Sequence, residues 1–298
     1  MDQQSELNKL QPAHEFFIGV DSDGCVFDTM EVKQKEFFIP NALKCFDLFP
    51  ISDLVRETWE FVNLYSVHRG GNRYLSIIKV FELLRERDEI KNSDIVIPDM
   101  TSLKEWVKLE TKLSTASLRN YFESHRNSDL EKVIKWTDAV NSNISKLMRK
   151  IPPFPDALRA IRLIKKYADL AVISQTPLEA VRREWKENKM IDYLVAVAGQ
   201  EHGTKTEQIE IAAKGKYSDI KILIIGDAIG DFLAARQNNV LFFPIIPGSE
   251  NNSWHRFIDE GFGRFLAGTF KGFYENTLVS EFRRSLPEIP PWRTQAVP

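Results

Sequence analysis

The chain has few cysteines, no excess of charge of either sign and no long apolar run. Its 298 residues include two cysteines, Cys25 and Cys45, which are too few for a disulfide framework or a cysteine-based zinc cluster. The 40 Lys and Arg residues nearly balance the 42 Asp and Glu residues. A net charge of −2 gives no electrostatic reason to expect nucleic acid or an anionic membrane surface as a partner.

No stretch of the sequence approaches the roughly eighteen uninterrupted apolar residues of a membrane-spanning helix. The N-terminal region also lacks the basic start and apolar run of a secretory signal. Hydrophobic residues make up 43% of the chain and charged residues 28%, which is typical of a globular protein. We therefore expect a soluble, cytoplasmic protein with a sizeable core and no membrane contact, and the sequence leaves its oligomeric state open.

Short apolar runs predict the strands of a parallel sheet. One run stands alone near the N-terminus, and four others recur in the second half of the chain, so that the runs occupy residues 16–20, 170–174, 194–198, 222–226 and 241–246. Strands that are apolar throughout are typical of a sheet covered on both faces. Amphipathic stretches after the second, third and fourth runs and before the second predict helices over 156–167, 177–188, 206–214 and 231–238. This alternation predicts an α/β fold with a Rossmann-like parallel sheet.

Two helical regions are predicted outside this sheet. Residues 30–150 contain no comparable apolar run and predict an inserted α-helical cap domain, which ends at the proline-rich sequence over 151–155. After a Pro-Gly break, residues 249–298 predict a C-terminal helical extension packed on the core through its aromatic faces, with a partner-binding helix as the alternative. The predicted catalytic core is therefore discontinuous, over 1–29 and 151–248.

Two carboxylates follow the first predicted strand directly. Asp21 and Asp23 are two residues apart, so in an extended chain both side chains point the same way. They lie at the carboxyl edge of the sheet, where open parallel sheets bind ligands. Like charges this close need a cation or a shared proton. Taken alone, however, the pair is equally well explained as a solvated acidic turn.

Polar groups also follow the other predicted strands. The sequence Ser-Gln-Thr at 174–176 offers a hydroxyl and the amides of a helix N-terminus, which bind anions. Lys205 comes at the start of the next helix, although alone it is explained as a surface lysine. Asp227 and Asp231 follow the fourth strand, and a helix N-cap explains one of them but not both. Oxygen ligands without a His or Cys set favour Mg²⁺, and Mg²⁺ beside a lysine favours a phosphoryl substrate.

In this order and at these strand ends, the residues resemble the four motifs of the haloacid dehalogenase superfamily of phosphohydrolases. The motifs are Asp21-Ser22-Asp23-Gly24 with Asp28, Ser174-Gln175-Thr176, Lys205, and Gly226-Asp227 with Asp231. The resemblance covers residues 15–29 and 152–246. The insert is similar to the cap of the branch that includes β-phosphoglucomutase and phosphoglycolate phosphatase, but at about 120 residues it is larger than the common cap.

The resemblance implies a role for each motif residue. Asp21 is expected to be the nucleophile that forms an aspartyl-phosphate, and Asp23 the general acid and then the general base. Ser174 and the backbone amide of Gln175 are expected to bind the phosphoryl oxygens, while Lys205 neutralises the developing charge. Dehalogenases and phosphonatases of this superfamily lack an acid at the position of Asp23, so its presence favours phosphate-ester chemistry.

The resemblance also implies Mg²⁺ as the cofactor. Its expected ligands are the Asp21 carboxylate, the Asp23 backbone carbonyl and Asp227. Asp231 is expected either to contact the ion through water or to hold the ligands without contacting the ion itself. Substrate choice is expected to lie in the cap, since a cap closes over the phosphate. Arg69 and Arg73 flank a Gly-Gly turn and resemble the cap's substrate loop, although an ordinary helix-helix loop explains them as well.

The predicted function is a Mg²⁺-dependent phosphatase that acts on a small phosphorylated metabolite. A phosphomutase shares all four motifs and stays open as the alternative. A third hypothesis is a non-catalytic scaffold that uses the aromatic extension for assembly. The retained charges at the strand ends argue against a scaffold, because convergent charges are costly where no chemistry needs them.

Overall fold

The computed structural model describes residues 7–294, and its strands form one parallel sheet. The strands are β1 Phe16–Val20, β2 Ala168–Ile173, β3 Ala196–Ala198, β4 Ile222–Gly226 and β5 Leu241–Pro244. Their order across the sheet is β3-β2-β1-β4-β5, and each neighbouring pair is parallel. The α/β fold with a Rossmann-like sheet is therefore confirmed.

Helices connect the strands and make up most of the rest of the described chain. The α-helices are α1 Thr29–Val32, α2 Ile39–Cys45, α3 Ser52–Leu64, α4 Arg73–Glu86, α5 Asp88–Lys91, α6 Thr101–Leu109, α7 Thr115–Ser124, α8 Ser128–Leu147, α9 Pro155–Ile164, α10 Leu178–Glu187, α11 Lys205–Ala213, α12 Ile229–Gln237, α13 Glu250–Arg256, α14 Phe262–Leu266, α15 Phe273–Ser285 and α16 Pro291–Thr294. Two π-helical segments occupy Lys33–Phe38 and Phe257–Gly261, and 3₁₀ turns occupy Phe49–Ile51, Ile191–Tyr193, Gln200–His202 and Asp219–Lys221. Within residues 7–294, no helix combines the length and the apolar character that crossing a membrane requires.

The chain divides into two compact units. The first contains the described residues up to Met30 together with Lys150–Pro287. The second contains Glu31–Arg149 and the described residues from Glu288 onward, so the chain passes from one unit to the other three times. The predicted extension over 249–298 is thus shared between the units.

In the first unit, alternate strand residues face two apolar clusters on opposite sides of the sheet. Ile18 and Val20 of β1 belong to one cluster, and Phe17 belongs to the other. The extension adds buried aromatic side chains to the first of these clusters, namely Trp254, Phe257, Phe262, Phe265 and Phe270. These aromatic residues are therefore core residues of the sheet unit, which is the usual explanation of an aromatic stripe.

Strand β2 starts at Ala168, two residues before the predicted run. The run left out this start because it contains a charged residue, Asp169. Asp169 is 1% exposed, and its carboxylate accepts hydrogen bonds from the Ala13 amide (2.8 Å), the His14 amide (3.0 Å) and the Tyr217 hydroxyl (2.8 Å). Burial raises the pKa of Asp169, but a hydrogen bond with the His14 ring at 3.0 Å, together with those three, outweighs it and leaves the pKa below its ordinary value. A carboxylate with this many donors can occupy a buried strand position.

The second unit begins with a helix that contains a π-helical turn. Pro40 has no amide hydrogen, and the π-helical segment Lys33–Phe38 ends two residues before it. The indole of Trp136 donates a hydrogen bond to the Phe38 carbonyl at 3.2 Å, which satisfies a polar group near this irregular turn. Trp136 also packs edge-on against Trp59, with ring centroids 5.7 Å apart, in the apolar cluster of the helical unit.

The last described residues pack within this helical unit. The Trp292 ring lies 5.4 Å from that of Phe61, and the Arg87 guanidinium lies 4.5 Å from the Trp292 ring centroid. Arg293 forms an ion pair with Glu86. The chain end therefore contributes packing to a unit whose other residues all precede Lys150.

A buried carboxylate joins α15 to the edge strand of the sheet. Glu275 is 2% exposed and accepts a hydrogen bond from the Phe242 amide of β5 at 3.0 Å, while Arg236 lies 3.2 Å away. Burial raises the pKa of Glu275, against the opposing effects of the Phe242 amide and Arg236. The contact occupies an outward-facing amide of the edge strand, which would otherwise be open to pairing with another chain.

We expect Glu275→Leu to lower the free energy of unfolding by about 1 to 3 kcal/mol, because it leaves the Phe242 amide without its buried acceptor. Chemical denaturation measures the change. Glu281→Leu is the control, since Glu281 lies in the same helix as Glu275 but its carboxylate is partly exposed and pairs with Arg256 of α13. This substitution should lower the free energy of unfolding by less than about 1 kcal/mol. Equal costs for the two substitutions would contradict this role of Glu275.

Candidate active site

The parallel strands bring the predicted motifs to one edge of the sheet. Asp21 follows β1, Ser174 follows β2 and Asp227 follows β4. The Asp21 amide donates to the Ile225 carbonyl at 2.9 Å, and the Ser174 amide donates to the Ala198 carbonyl at 3.2 Å. Neighbouring strands thus hold the backbone on which these side chains stand.

Asp21 is a buried carboxylate with donors on both of its oxygens. It is 6% exposed; Oδ1 accepts from the Ser22 amide at 2.8 Å and Oδ2 lies 2.9 Å from the Lys205 ammonium. Burial raises the pKa of Asp21 well above its ordinary value, the charges of Asp231 and Asp227 raise it further, and Lys205 opposes them. The ionised form of this carboxylate therefore depends on cations at the site.

Lys205 supplies one such cation from the first residue of α11. Its ammonium lies 2.5 Å from Asp231 Oδ1 as well as 2.9 Å from Asp21 Oδ2. Burial lowers the pKa of Lys205, but the two carboxylates outweigh it and raise the pKa above its ordinary value. A capping box between Thr204 and Glu207 fixes this end of α11, so the lysine is charged and held in place.

Asp231 fits against a position that only glycine can occupy. A Cβ added to Gly226 would lie 2.3 Å from the Asp231 carboxyl carbon. The other carboxylate oxygen, Oδ2, accepts a hydrogen bond from the Ala228 amide at 3.1 Å, near the start of α12. Asp231 therefore both caps this helix and pairs with Lys205, which is more than N-capping requires.

Three carboxylates form a group that can hold a metal ion. Asp21, Asp227 and Asp231 are all buried, and each offers an oxygen within 4.8 Å of the others. Mg²⁺ prefers carboxylate oxygens, and a divalent cation would offset the charge that Lys205 alone leaves uncompensated. The residues present therefore fit Mg²⁺. The predicted contact of Asp23 is through its backbone carbonyl and stays a prediction.

The Asp23 side chain lies outside this carboxylate group. Its Oδ1 accepts a hydrogen bond from the Thr29 hydroxyl at 2.5 Å, and its Oδ2 accepts one from the Thr176 hydroxyl at 2.8 Å. Asp23 is partly exposed, whereas Asp21 is buried. The two carboxylates of this loop thus have different environments, and their predicted nucleophile and acid roles stay predictions.

Ser174 and Gln175 lie at the neighbouring strand end. Ser174 is 1% exposed, and its hydroxyl accepts a hydrogen bond from the Thr176 amide at 3.1 Å. Gln175 is exposed, and its side chain donates to the Gly203 carbonyl at 2.9 Å. Their predicted role in phosphate binding stays a prediction.

Sequence reasoning assigned no role to three residues that connect the motifs. Thr29 and Thr176 hold Asp23, and the buried side chain of Gln208 donates to the carbonyls of Ser174 (2.9 Å) and Gly203 (3.1 Å). A hydroxyl or amide in a polar stretch has no periodic pattern that would single it out. Gln208 could have been noticed only by its position one helical turn after Lys205.

The two arginines predicted to bind the substrate belong to the helical unit. Arg69 is 3% exposed and donates to the Leu64 carbonyl at 2.8 Å. Arg73 begins α4, donates to Asn141 at 2.9 Å and lies 5.1 Å from the centroid of the Phe38 ring. Their predicted substrate role stays a prediction, and the contacts of Arg69 are those of a residue that stabilises its loop.

Comparisons with known proteins point to one family. Residues 97–245, half of the chain, match the family described as haloacid dehalogenase-like hydrolase. No curated protein matches the chain.

Several solved structures are similar in fold. A haloacid dehalogenase-like family hydrolase from Streptococcus pneumoniae is 14% identical, with 80% of this chain and 90% of that chain covered at a TM-score of 0.42. A predicted phosphoglycolate phosphatase from Haemophilus somnus is 14% identical, with 77% of this chain and 85% of that chain covered at a TM-score of 0.44. A predicted phosphatase from Clostridium acetobutylicum is 15% identical, with 81% of this chain and 91% of that chain covered at a TM-score of 0.44.

We expect Lys205→Met to lower the free energy of unfolding by about 3 to 5 kcal/mol in Mg²⁺-free buffer, because buried carboxylates lose their cation. Adding Asp231→Asn should recover part of this loss, and chemical denaturation measures both changes. Lys214→Met is the control, since Lys214 pairs with the exposed Asp219 and its loss should cost less than about 1 kcal/mol. A Lys205 variant as stable as this control would rule out the electrostatic dependence.

Proposed function

The chain belongs to the haloacid dehalogenase-like hydrolase family, and from this premise we propose that it is a Mg²⁺-dependent phosphatase acting on a small phosphorylated metabolite. The observation that carries the proposal is the buried Asp21 carboxylate, held 2.9 Å from Lys205 beside Asp227 and Asp231. A carboxylate kept near cations at a sheet edge is suited to attack an electrophile that is itself negatively charged.

The proposed reaction has two steps, both at Asp21. An oxygen of Asp21 attacks phosphorus, the bond from phosphorus to the alcohol oxygen breaks, and the departing oxygen takes a proton from Asp23. Water then attacks the aspartyl-phosphate while Asp23 accepts its proton, which releases inorganic phosphate and restores Asp21. Hydrogen bonds from Thr29 and Thr176 orient the Asp23 carboxyl for both transfers.

The remaining motif residues bind charge in this proposal. Ser174 and the Gln175 amide would donate to the phosphoryl oxygens, and Lys205 would neutralise the charge that grows as phosphorus is attacked. Asp21, Asp227 and the Asp23 carbonyl would hold Mg²⁺. Asp231 would stay paired with Lys205 beside these ligands. Bound Mg²⁺ would supply Lewis-acid stabilisation of the phosphoryl group.

We propose the sheet unit as the catalytic core and the helical unit, over the predicted residues 30–150, as the cap that recognises the rest of the substrate. Arg69 and Arg73 are its proposed anion-binding residues. A cytoplasmic location is proposed as well, because Cys25 and Cys45 are both free thiols, as a reducing compartment requires.

We expect the purified protein to release inorganic phosphate from a generic phosphomonoester in the presence of Mg²⁺ and to lose this activity with EDTA. Asp21→Asn should lower kcat by at least about a thousandfold, because the nucleophile is lost. Asp219→Asn, which changes a surface carboxylate, is the control and should keep full activity. Robust turnover by the Asp21 variant would exclude the aspartyl-phosphate route.

The same preparation separates hydrolysis from phosphoryl transfer. With a hexose 1-phosphate as substrate, we expect inorganic phosphate as the product. Formation of the isomeric sugar phosphate would instead assign the chain as a phosphomutase.

Substitution of the two arginines distinguishes binding from stability. We expect Arg73→Met to raise KM by about tenfold or more, because a charged hydrogen bond to the substrate is lost, with a small change in stability. Arg69→Met should also raise KM and, in addition, lower the free energy of unfolding, since its buried guanidinium holds the Leu64 carbonyl. Steady-state kinetics and thermal unfolding of both variants provide the test, and an unchanged KM in Arg73→Met would remove that residue from the substrate site.

A further inference from the structure

The loop that carries the two catalytic aspartates is a closed turn. The Gly24 amide donates to the Phe27 carbonyl at 2.8 Å. The amides of Val26 and Phe27 both donate to the Ser22 carbonyl, at 3.0 and 3.2 Å. Because these bonds lock the turn internally, it moves as one piece, and the positions of Asp21 and Asp23 depend on what holds the turn from outside.

One outside support comes from the C-terminal extension. The Trp254 indole donates a hydrogen bond to the Cys25 carbonyl at 2.8 Å. Both residues are 0% exposed. Trp254 lies in α13, after the last strand of the sheet, so a residue 229 positions away in sequence contacts the turn between the nucleophile strand and α1.

A second support holds the opposite end of the turn. The Trp185 indole of α10 donates to the Ser22 hydroxyl at 3.0 Å, and this hydroxyl lies 3.2 Å from Glu184. Trp185 also packs edge-on against Phe27, with ring centroids 5.6 Å apart. Two buried indoles therefore hold the turn at Ser22 and at Cys25.

The indole of Trp254 is itself held firmly. Ser253 accepts a hydrogen bond from the Ile246 amide at 3.0 Å, and Asn251 accepts one from the Asp156 amide at 3.0 Å. The Trp254 ring packs edge-on against Phe257 at 5.8 Å. Helix α13 is thus fixed by the hydrogen bonds of Asn251 and Ser253, and the indole is held by its ring contact with Phe257, as a support for another residue needs to be.

We propose that Trp254 is a positioning residue for Asp21 and Asp23, and that the C-terminal extension takes part in turnover through this hydrogen bond. The inference rests on the proposed phosphatase function for its kinetic consequence. Attack on phosphorus needs the Asp21 oxygen in line with the leaving oxygen, and small displacements of a reacting group are costly in rate. Apolar packing alone would need the ring of Trp254 but not its N–H.

The test removes the N–H and keeps the ring. Trp254→Phe is the simple variant, and replacement of Trp254 by β-(3-benzothienyl)alanine keeps the indole shape with sulfur in place of N–H. We expect kcat to fall about fivefold in both, with KM within twofold of the wild-type value, because one neutral hydrogen bond to the turn is lost. If Trp254→Phe does not fold, the isosteric replacement decides the question.

Phe282→Leu is the matched control. Phe282 is a fully buried aromatic residue of the same extension, but it belongs to the apolar cluster on the other side of the sheet from Trp254. We expect it to destabilise the extension and to leave kcat unchanged at temperatures where the protein is folded. Amide hydrogen exchange of Val26 and Phe27 should accelerate in the Trp254 variants and not in Phe282→Leu.

The outcomes are separable. An isosteric variant with wild-type kcat and unchanged exchange at Val26 and Phe27 overturns the inference while leaving the proposed function intact. A wild-type protein without phosphatase activity overturns the proposed function, and hydrogen exchange alone then decides whether Trp254 holds the turn. A similar fall of kcat in Phe282→Leu would also overturn the inference, since general destabilisation would account for it.

Discussion

Three buried carboxylates within 4.8 Å of one another repel strongly, and the geometry of the sheet edge depends on how that repulsion is compensated. Lys205 lies 2.9 Å from Asp21 and 2.5 Å from Asp231, so one ammonium serves two of the three. The absence of a side chain at Gly226 is what allows Asp231 to come this close to its strand. Such an arrangement leaves a deficit of positive charge, which a divalent cation is suited to fill.

The backbone around this charge cluster is supported by hydrogen bonds from neutral donors. The turn after β1 is closed internally and held by the indoles of Trp185 and Trp254. Gln208 links the loops after β2 and β3 through the carbonyls of Ser174 and Gly203. Buried amide and indole donors keep the loops in place without adding charge to a site where charge is already costly to bury.

Much of the fold was predictable because its strands are locally encoded. Uninterrupted apolar runs predicted β1 and β4 with the bounds observed. Of the predicted site residues, Asp21, Asp227 and Asp231 lie together with Lys205, whereas the Asp23 side chain lies outside this carboxylate group. Asp169 escaped prediction because a buried charge in a strand is stable only through donors from distant segments. The contact of Trp254 with Cys25 escaped for the same reason, since periodicity describes one element at a time.

The described residues from Glu288 to 294 belong to the helical unit although they follow the sheet unit in sequence. Trp292 covers Arg87 and packs against Phe61, so part of the helical unit's packing comes from the far end of the chain. The helical unit is therefore built from two separate segments of the chain. Exchanging residues 31–149 for another helical domain, or grafting them onto another sheet unit, would separate them from the tryptophan that completes their packing, so a working chimaera would have to carry both segments together.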